Sequence, residues 1–203
     1  MDGLIGVAFK DFVLLAADKT MTHSILAVKH DQKKIHTLSD HLMMGVVGEA
    51  GDTIQFSEFI EKNIQLYRMR NGFELTPGSA AHFIQRNLSD SLRSRSAYQV
   101  NCLIAGFSEK TGGELYYLDY LGTMSKMPFG IHGYAGFIST SVFDRGYNPD
   151  ATLDEALSLL KKAIEEVQKR LIINMPVFAV SLLDKNGIKN LPDIKINTQA
   201  LGI

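Results

Sequence analysis

The turn Gly48-Glu49-Ala50-Gly51-Asp52 comes nearest, of any segment in this chain, to a phosphate cradle. Its glycines would let backbone N–H groups converge, and the helix that follows would present its positive pole to an anion. A phosphate loop also needs a lysine directly after its last glycine, and Asp52 stands there instead. The segment therefore reads as a strand-to-helix turn. The six histidines (His23, His30, His36, His41, His82 and His132) include no i, i+4 pair on a helix, so no metal site is expected. Neither a Gly-x-Ser-x-Gly elbow nor a His-Glu-x-x-His pair occurs. The lone Cys102 sits in an apolar run and reads as a small buried hydrophobe. Alone it cannot form an internal disulfide, which suits a reducing compartment.

The elements that would position these residues follow from periodicity. Leu4–Phe9 and Phe12–Ala17 are apolar runs around Lys10-Asp11, the pattern of a hairpin. Lys34–Leu38 and Leu42–Val47 form a second pair around Ser39-Asp40-His41. The period then changes to that of a helix over Asp52–Arg70, with Phe56, Phe59, Ile60, Ile64 and Tyr67 on its apolar face and Gly72 as its stop. Thr76-Pro77 begins another helix, with a hydroxyl cap and proline in the first turn, and Ala80, Ile84, Leu88 and Leu92 as its buried face. Strands return at Tyr98–Phe107, Glu114–Tyr120 and Gly122–Met127. A third long helix starts at the capping box Thr152-Leu-Asp-Glu155, its stripe running through Leu153, Ala156, Leu157, Leu160, Ile164 and Val167. Val177–Leu183 and Ile188–Leu191 close as a hairpin. Segregated strands and helices with short hairpins predict an α+β fold with antiparallel sheets, two of them face to face with helices outside.

The chain has 203 residues, 45% of them hydrophobic, with a net charge of −1. That length suffices for a large core within one domain spanning residues 1–203, with 193–203 as a possible C-terminal extension. The balanced charge speaks against nucleic acid or an anionic membrane as partner; Arg68–Arg70 and Arg93–Arg95 read as helix-end clusters that suit the negative pole of the dipole. No apolar stretch reaches bilayer length, and no signal peptide is expected at the start.

Several of these segments also resemble one family in order. Gly6-Val-Ala-Phe-Lys-Asp11, Val13-Leu-Leu-Ala-Ala-Asp18, Lys33-Lys34-Ile35 and Gly48-Glu-Ala-Gly-Asp52 look like the opening of a proteasome β subunit. The resemblance continues through Arg93-Ser-Arg-Ser-Ala-Tyr-Gln-Val-Asn101, Leu118-Asp-Tyr-Leu-Gly122 and Pro128-Phe-Gly-Ile-His-Gly-Tyr134. It is nearest to the eukaryotic class at the fourth ring position, type 2 in human naming. The resemblance implies the four-layer αββα sandwich of N-terminal nucleophile hydrolases and no cofactor. It also implies partners: neighbouring β subunits of a seven-membered ring, α-ring subunits and the opposite β ring, in the cytoplasm and nucleus.

In that family an N-terminal threonine attacks the scissile carbonyl, and its free α-amine, with a pKa near 8, accepts the proton. Carried over by position, the supporting aspartate is Asp18, the lysine is Lys34 and the oxyanion glycine is Gly48. The threonine position falls on Asp2, the small serine of a neighbouring turn on Tyr134, and a second aspartate–serine pair on Leu171 and Asn174. The resemblance thus implies a non-catalytic, architectural subunit. Asp18 and Lys34 would persist as two charges between adjacent strands that satisfy each other. The chain starts at the first strand, so the N-terminus is expected to stay at or beside Met1 without propeptide removal. An active hydrolase is the first rival reading, but it would need a hydroxyl or thiol at the N-terminus. Thr20, the nearest hydroxyl downstream, lies past both opening strands. A free-standing binding module is the second, and its monomeric mass would distinguish it.

Overall fold

The computed structural model of the chain describes residues 2–23, 26–172 and 174–196. The two opening apolar runs form β1 (Gly3–Ala8) and β2 (Phe12–Asp18), antiparallel, with Ala8 opposite Val13 across the Lys10-Asp11 turn. A short two-stranded sheet follows, β3 (Met21–His23) with β4 (Leu26–Lys29), which among the described residues pair only with each other. Then come β5 (Ile35–Ser39) and β6 (Leu42–Gly48), helices α1 (Ala50–Asn71) and α2 (Pro77–Ser91), and strands β7 (Val100–Ser108), β8 (Gly112–Leu118), β9 (Met124–Lys126) and β10 (Phe129–Gly133). Helices α3 (Gly136–Gly146) and α4 (Leu153–Arg170) precede the closing hairpin of β11 (Val177–Asp184) and β12 (Gly187–Lys195). One sheet has the order β10-β1-β2-β11-β12 and the other β5-β6-β7-β8-β9.

Alternation along each strand sorts side chains into three cores. In β1 and β2, Leu4, Ala8, Val13, Leu15 and Ala17 point inward to meet Met43, Val47, Leu103, Ala105 and Leu115 of the facing sheet. Ile5, Val7, Leu14 and Ala16 point the other way, against Phe143 of α3 and Leu160, Ile164 and Val167 of α4. On the outer side of the second sheet, Met44, Val46, Cys102 and Ile104 pack under Phe56, Ile60 and Ile64 of α1 and Ile84 and Leu88 of α2. The layers are therefore helix pair, sheet, sheet, helix pair, the expected four-layer arrangement. Strands covered on both faces have no solvent side, so β1 and β2 read as unbroken apolar runs.

Caps account for the helix ends. Thr76 accepts from the N–H of Ser79 with Pro77 in the first turn of α2, and Thr152 and Glu155 form the expected capping box of α4. Gly72 closes α1 in the left-handed region, its N–H donating to Arg68.

Other expectations need correction. Phe59 is 44% exposed: it lies at the edge of the stripe that Phe56, Ile60 and Ile64 bury, turned toward solvent. Leu92 caps α2 at the surface instead of lining its buried face. The strand expected over Gly122–Met127 is only Met124–Lys126, because Gly122 turns the chain and Pro128 carries it across to the other sheet as β10. Helix α3, strand β10 and the β3–β4 pair were not expected. The segment expected as a C-terminal extension contributes residues 193–195 to β12, and Ile196 joins the α3/α4 core; residues 197–203 lie outside the described residues.

Candidate functional site

Lys34 stands one residue before β5, and its carbonyl accepts from the N–H of Val46, which fixes it to the second sheet. Its side chain reaches across to the first sheet. There Nζ donates to Asp18 Oδ1 at 2.8 Å, to Asp2 Oδ1 at 2.7 Å and to the carbonyl of Thr20 at 2.9 Å. Asp18 ends β2 and Asp2 precedes β1, so the pairing of those strands brings the two carboxylates together. The expected Asp18–Lys34 pair does form. It bridges the two sheets, however, and does not link adjacent strands.

An ammonium has three N–H donors. Lys34 has three oxygen acceptors, so none of its donors is left for a ligand. Asp18 is fully buried, and besides Lys34 it accepts from the N–H of Gly3 at 2.7 Å and from the N–H of Thr20 at 3.1 Å. Burial pushes its carboxyl above the usual aspartate range; the Lys34 charge and the donated hydrogen bonds pull the other way.

Gly48 ends β6 at φ +148°, and an added Cβ there would collide with the carbonyl of Gln99, so only glycine fits this turn. Glu49 N–H donates to that same carbonyl, and Asp52 accepts from the N–H of Gln99, fastening the turn to the start of β7. Residues Asp2, Lys34, Gly48, Glu49 and Thr53 line a cleft of about 660 Å³. His36 also lines it; burial first, and then the charge of Lys33, lower its pKa to about 4.

The turn 133–135 does lie beside Asp2: Gly133 has φ +76°, and a Cβ there would strike the Asp2 carbonyl. Tyr134 N–H donates to that carbonyl at 2.9 Å, while its ring stands 42% exposed near Phe137. Leu171 caps the C-terminus of α4 and packs against the α3/α4 core. Asn174 accepts from Gln168 at 2.6 Å, and the other end of the Gln168 amide accepts from the N–H of Met175 at 3.0 Å. Met175, not Asn174, lies against Gly3. Among the described residues, Tyr134, Leu171 and Asn174 make no side-chain hydrogen bond to Asp2, Asp18 or Lys34.

Sequence reasoning missed the roles that three residues play at or beside this site. Thr20 takes part through its backbone at both ends, which no side-chain pattern reveals. Gln168, 5% exposed on α4, was legible only as a polar residue interrupting the helix's buried stripe. Asp2 was read as a lost nucleophile, and it is also the third charge of the cluster. Thr20 carries a hydroxyl and meets Lys34 through its carbonyl, but its nitrogen is a mid-chain amide and cannot accept a proton as a free amine would. Among the described residues no three His, Cys, Asp or Glu side chains converge on a point where a metal could bind. Cys102 is fully buried, and burial alone pushes its thiol far above the usual range.

A sequence profile of the family described as proteasome subunit matches residues 3–182. The chain is 43% identical over 196 residues to proteasome subunit beta type-4 of Saccharomyces cerevisiae, covering 96% of this chain and 99% of that protein. It is 38% identical over 190 residues to proteasome subunit beta type-2-A of Arabidopsis thaliana, covering 94% and 93%. It is 41% identical over 192 residues to the probable proteasome subunit beta type-4 of Schizosaccharomyces pombe, covering 94% and 99%.

Proposed function

This chain belongs to the proteasome subunit family, and we propose that within it the protein is a non-catalytic, architectural β subunit of the 20S core. One observation carries the reading: where the family's chemistry needs a threonine hydroxyl beside a free amine, a carboxylate occupies the position and takes one of the three donors of Lys34. Lys34, Asp18 and Gly48 persist because the fold needs them. A buried carboxylate left without its cation costs several kcal/mol, and the Gly48 backbone admits no side chain. Acyl transfer needs a nucleophile and a proton acceptor held together. Asp2, Thr20 and Lys34 supply neither in usable form.

On this reading the subunit assembles with other proteasome subunits, at the fourth position of a seven-membered β ring between an α ring and a second β ring. It works in the cytoplasm and nucleus, closing the proteolytic chamber and holding active neighbours in register. The relatives carry the names type-4 and type-2, and they support this placement through their near-complete coverage. Native mass spectrometry of the complex isolated from its source tests the assignment. Two copies of this chain per core particle are expected, with cross-links to two different β-type neighbours and to α-type subunits. Recovery of the chain only as a monomer would mean that it is a free-standing module.

A further inference from the structure

Between the end of α2 at Ser91 and the start of β7 at Val100 the chain is irregular, and residues 92–96 are all exposed. This segment reads Leu92-Arg93-Ser94-Arg95-Ser96. Among the described residues neither Arg93 nor Arg95 pairs with a carboxylate, whereas Arg68 pairs with Glu74 at 3.2 Å and Arg170 with Glu166 at 3.1 Å. Two uncommitted guanidinium groups thus flank two serines in a loop.

The serines differ. Ser94 donates its hydroxyl to the carbonyl of Ser91 at 2.7 Å and accepts from the N–H of Ser96 at 3.2 Å. The hydroxyl of Ser96 has no protein partner among the described residues, and Arg93 and Arg95 lie three and one positions before it. We propose that Ser96 is a phosphorylation site for a serine/threonine kinase whose acidic substrate groove reads arginines on the N-terminal side of the target. Such a groove lays its substrate out in extended form. Here only short-range turn bonds have to open: Ser96 N–H to Ser94 Oγ, the Ser94 N–H and hydroxyl to the Ser91 carbonyl, and Arg93 N–H to the Asp90 carbonyl.

Other hydroxyls with a cation three positions earlier are held less favourably. Thr22 follows Lys19 but lies inside β3, and Lys19 pairs with Asp193 at 2.9 Å. Thr37 follows Lys34 but lies inside β5, and Lys34 is buried with its donors all used. Ser89 follows Arg86 but lies inside α2 against Gly122, and Arg86 pairs with Asp90. Thr198 lies outside the described residues.

In the transfer, Ser96 Oγ attacks the γ-phosphorus of ATP. The Oγ–P bond forms as the bond to the β–γ bridging oxygen breaks, ADP leaves with that electron pair, and the hydroxyl proton passes to the kinase's carboxylate base. The new phosphate carries a charge of about −1.5 to −2 and finds Arg93 and Arg95 beside it. The loop runs on to Gln99, which is hydrogen-bonded to Glu49 and Asp52 on the cleft wall, so phosphorylation stiffens the segment that anchors that wall. None of this depends on whether the chain is catalytic.

The test incubates the full folded chain with ATP and the catalytic subunit of cyclic-AMP-dependent protein kinase, and maps phosphate by peptide mass spectrometry. Phosphate is expected on Ser96, with Ser96→Ala abolishing it. Arg93→Ala should slow incorporation about tenfold, the scale of one lost charge-assisted contact, without moving the melting temperature. An acid-directed kinase run in parallel should transfer none to Ser96, which has no acidic residue three positions after it. Phosphate on Ser89 or Ser94 instead, incorporation insensitive to Arg93→Ala, or no incorporation would each overturn the assignment.

Discussion

The two halves of the site at the head of β1 are built on different terms. On the sheet side, Lys34, Asp18, Asp2 and the Thr20 carbonyl form a closed network in which each buried charge has a partner and each donor of Lys34 an acceptor, and the Gly48 turn beside it admits no side chain. On the helix side, the turn at Tyr134 touches Asp2 through one backbone hydrogen bond, while Leu171 and Asn174 answer to their own neighbours. The sheet half bridges the two sheets, so losing a member would strand a buried charge. The helix half is bound by no such constraint, so a bulky phenol and a leucine can stand there without cost to the fold. Retention of three supporting residues is thus evidence about folding, and carries no implication of chemistry.

Breaking the sheet half should have the largest effect. Lys34→Met leaves Asp18 buried without its cation, and a loss of about 3–5 kcal/mol is expected, enough to abolish a defined thermal transition or soluble expression. A mild shift would mean that the network is dispensable.

Acid should act next, through the strand leading into the Tyr134 turn. His132 is 4% exposed, stacked on Tyr117 at 4.0 Å and bonded to the carbonyl of Cys102, and burial lowers its pKa to about 4. The unfolded chain takes up this proton near the ordinary 6.5, the folded chain only near 4, so stability is full above that window and falls as pH drops through it. At about 1.4 kcal/mol per pKa unit the loss approaches roughly 3 kcal/mol, with a smaller contribution of the same sign from half-buried His36. Urea titrations between pH 7 and 4 should show this slope, reduced in His132→Phe; an unchanged slope in that variant would assign the acid lability elsewhere.

Gln168→Leu should cost less, about 2 kcal/mol, because it strands the buried N–H of Met175 and frees Asn174. Its melting temperature should drop while the Lys34 network stays intact. The smallest expected effect is on activity. Asp2→Thr, in a subunit processed to begin at residue 2, supplies the hydroxyl and the amine beside Lys34. Tyr134, Leu171 and Asn174 still occupy the helix half. Members of a catalytic unit act together, so restoring one recovers little. Peptide turnover should remain at the background of cores whose other threonines are blocked.

Much of this architecture was legible in the sequence, for identifiable reasons. The runs of β1 and β2 are apolar on both faces, and the capping box at Thr152 marks α4 by its own chemistry. Helix α3 escaped because Gly136–Gly146 is short, bounded by glycines and rich in serine and threonine, so its local propensity is weak. Strand β10 escaped because its partner β1 lies far back in the chain, so no neighbouring hairpin marks it. Phe59 was placed on the core face of α1 because it is three residues from Phe56, and spacing alone does not fix where the buried stripe ends. At the site, Asp18, Lys34 and Gly48 came through the family resemblance by position. That Asp2 uses the last donor of Lys34, and that the pair bridges sheets, depends on side-chain geometry that no linear pattern encodes.

The account turns on whether residue 2 leaves the site without a nucleophile, and covalent labelling asks this directly. Intact core particles treated with a saturating threonine-directed epoxyketone would be separated into subunits and each chain weighed. The account predicts adducts on catalytic neighbours and an unmodified mass for this chain. An adduct on this chain that maps to the cleft beside Lys34 would contradict it.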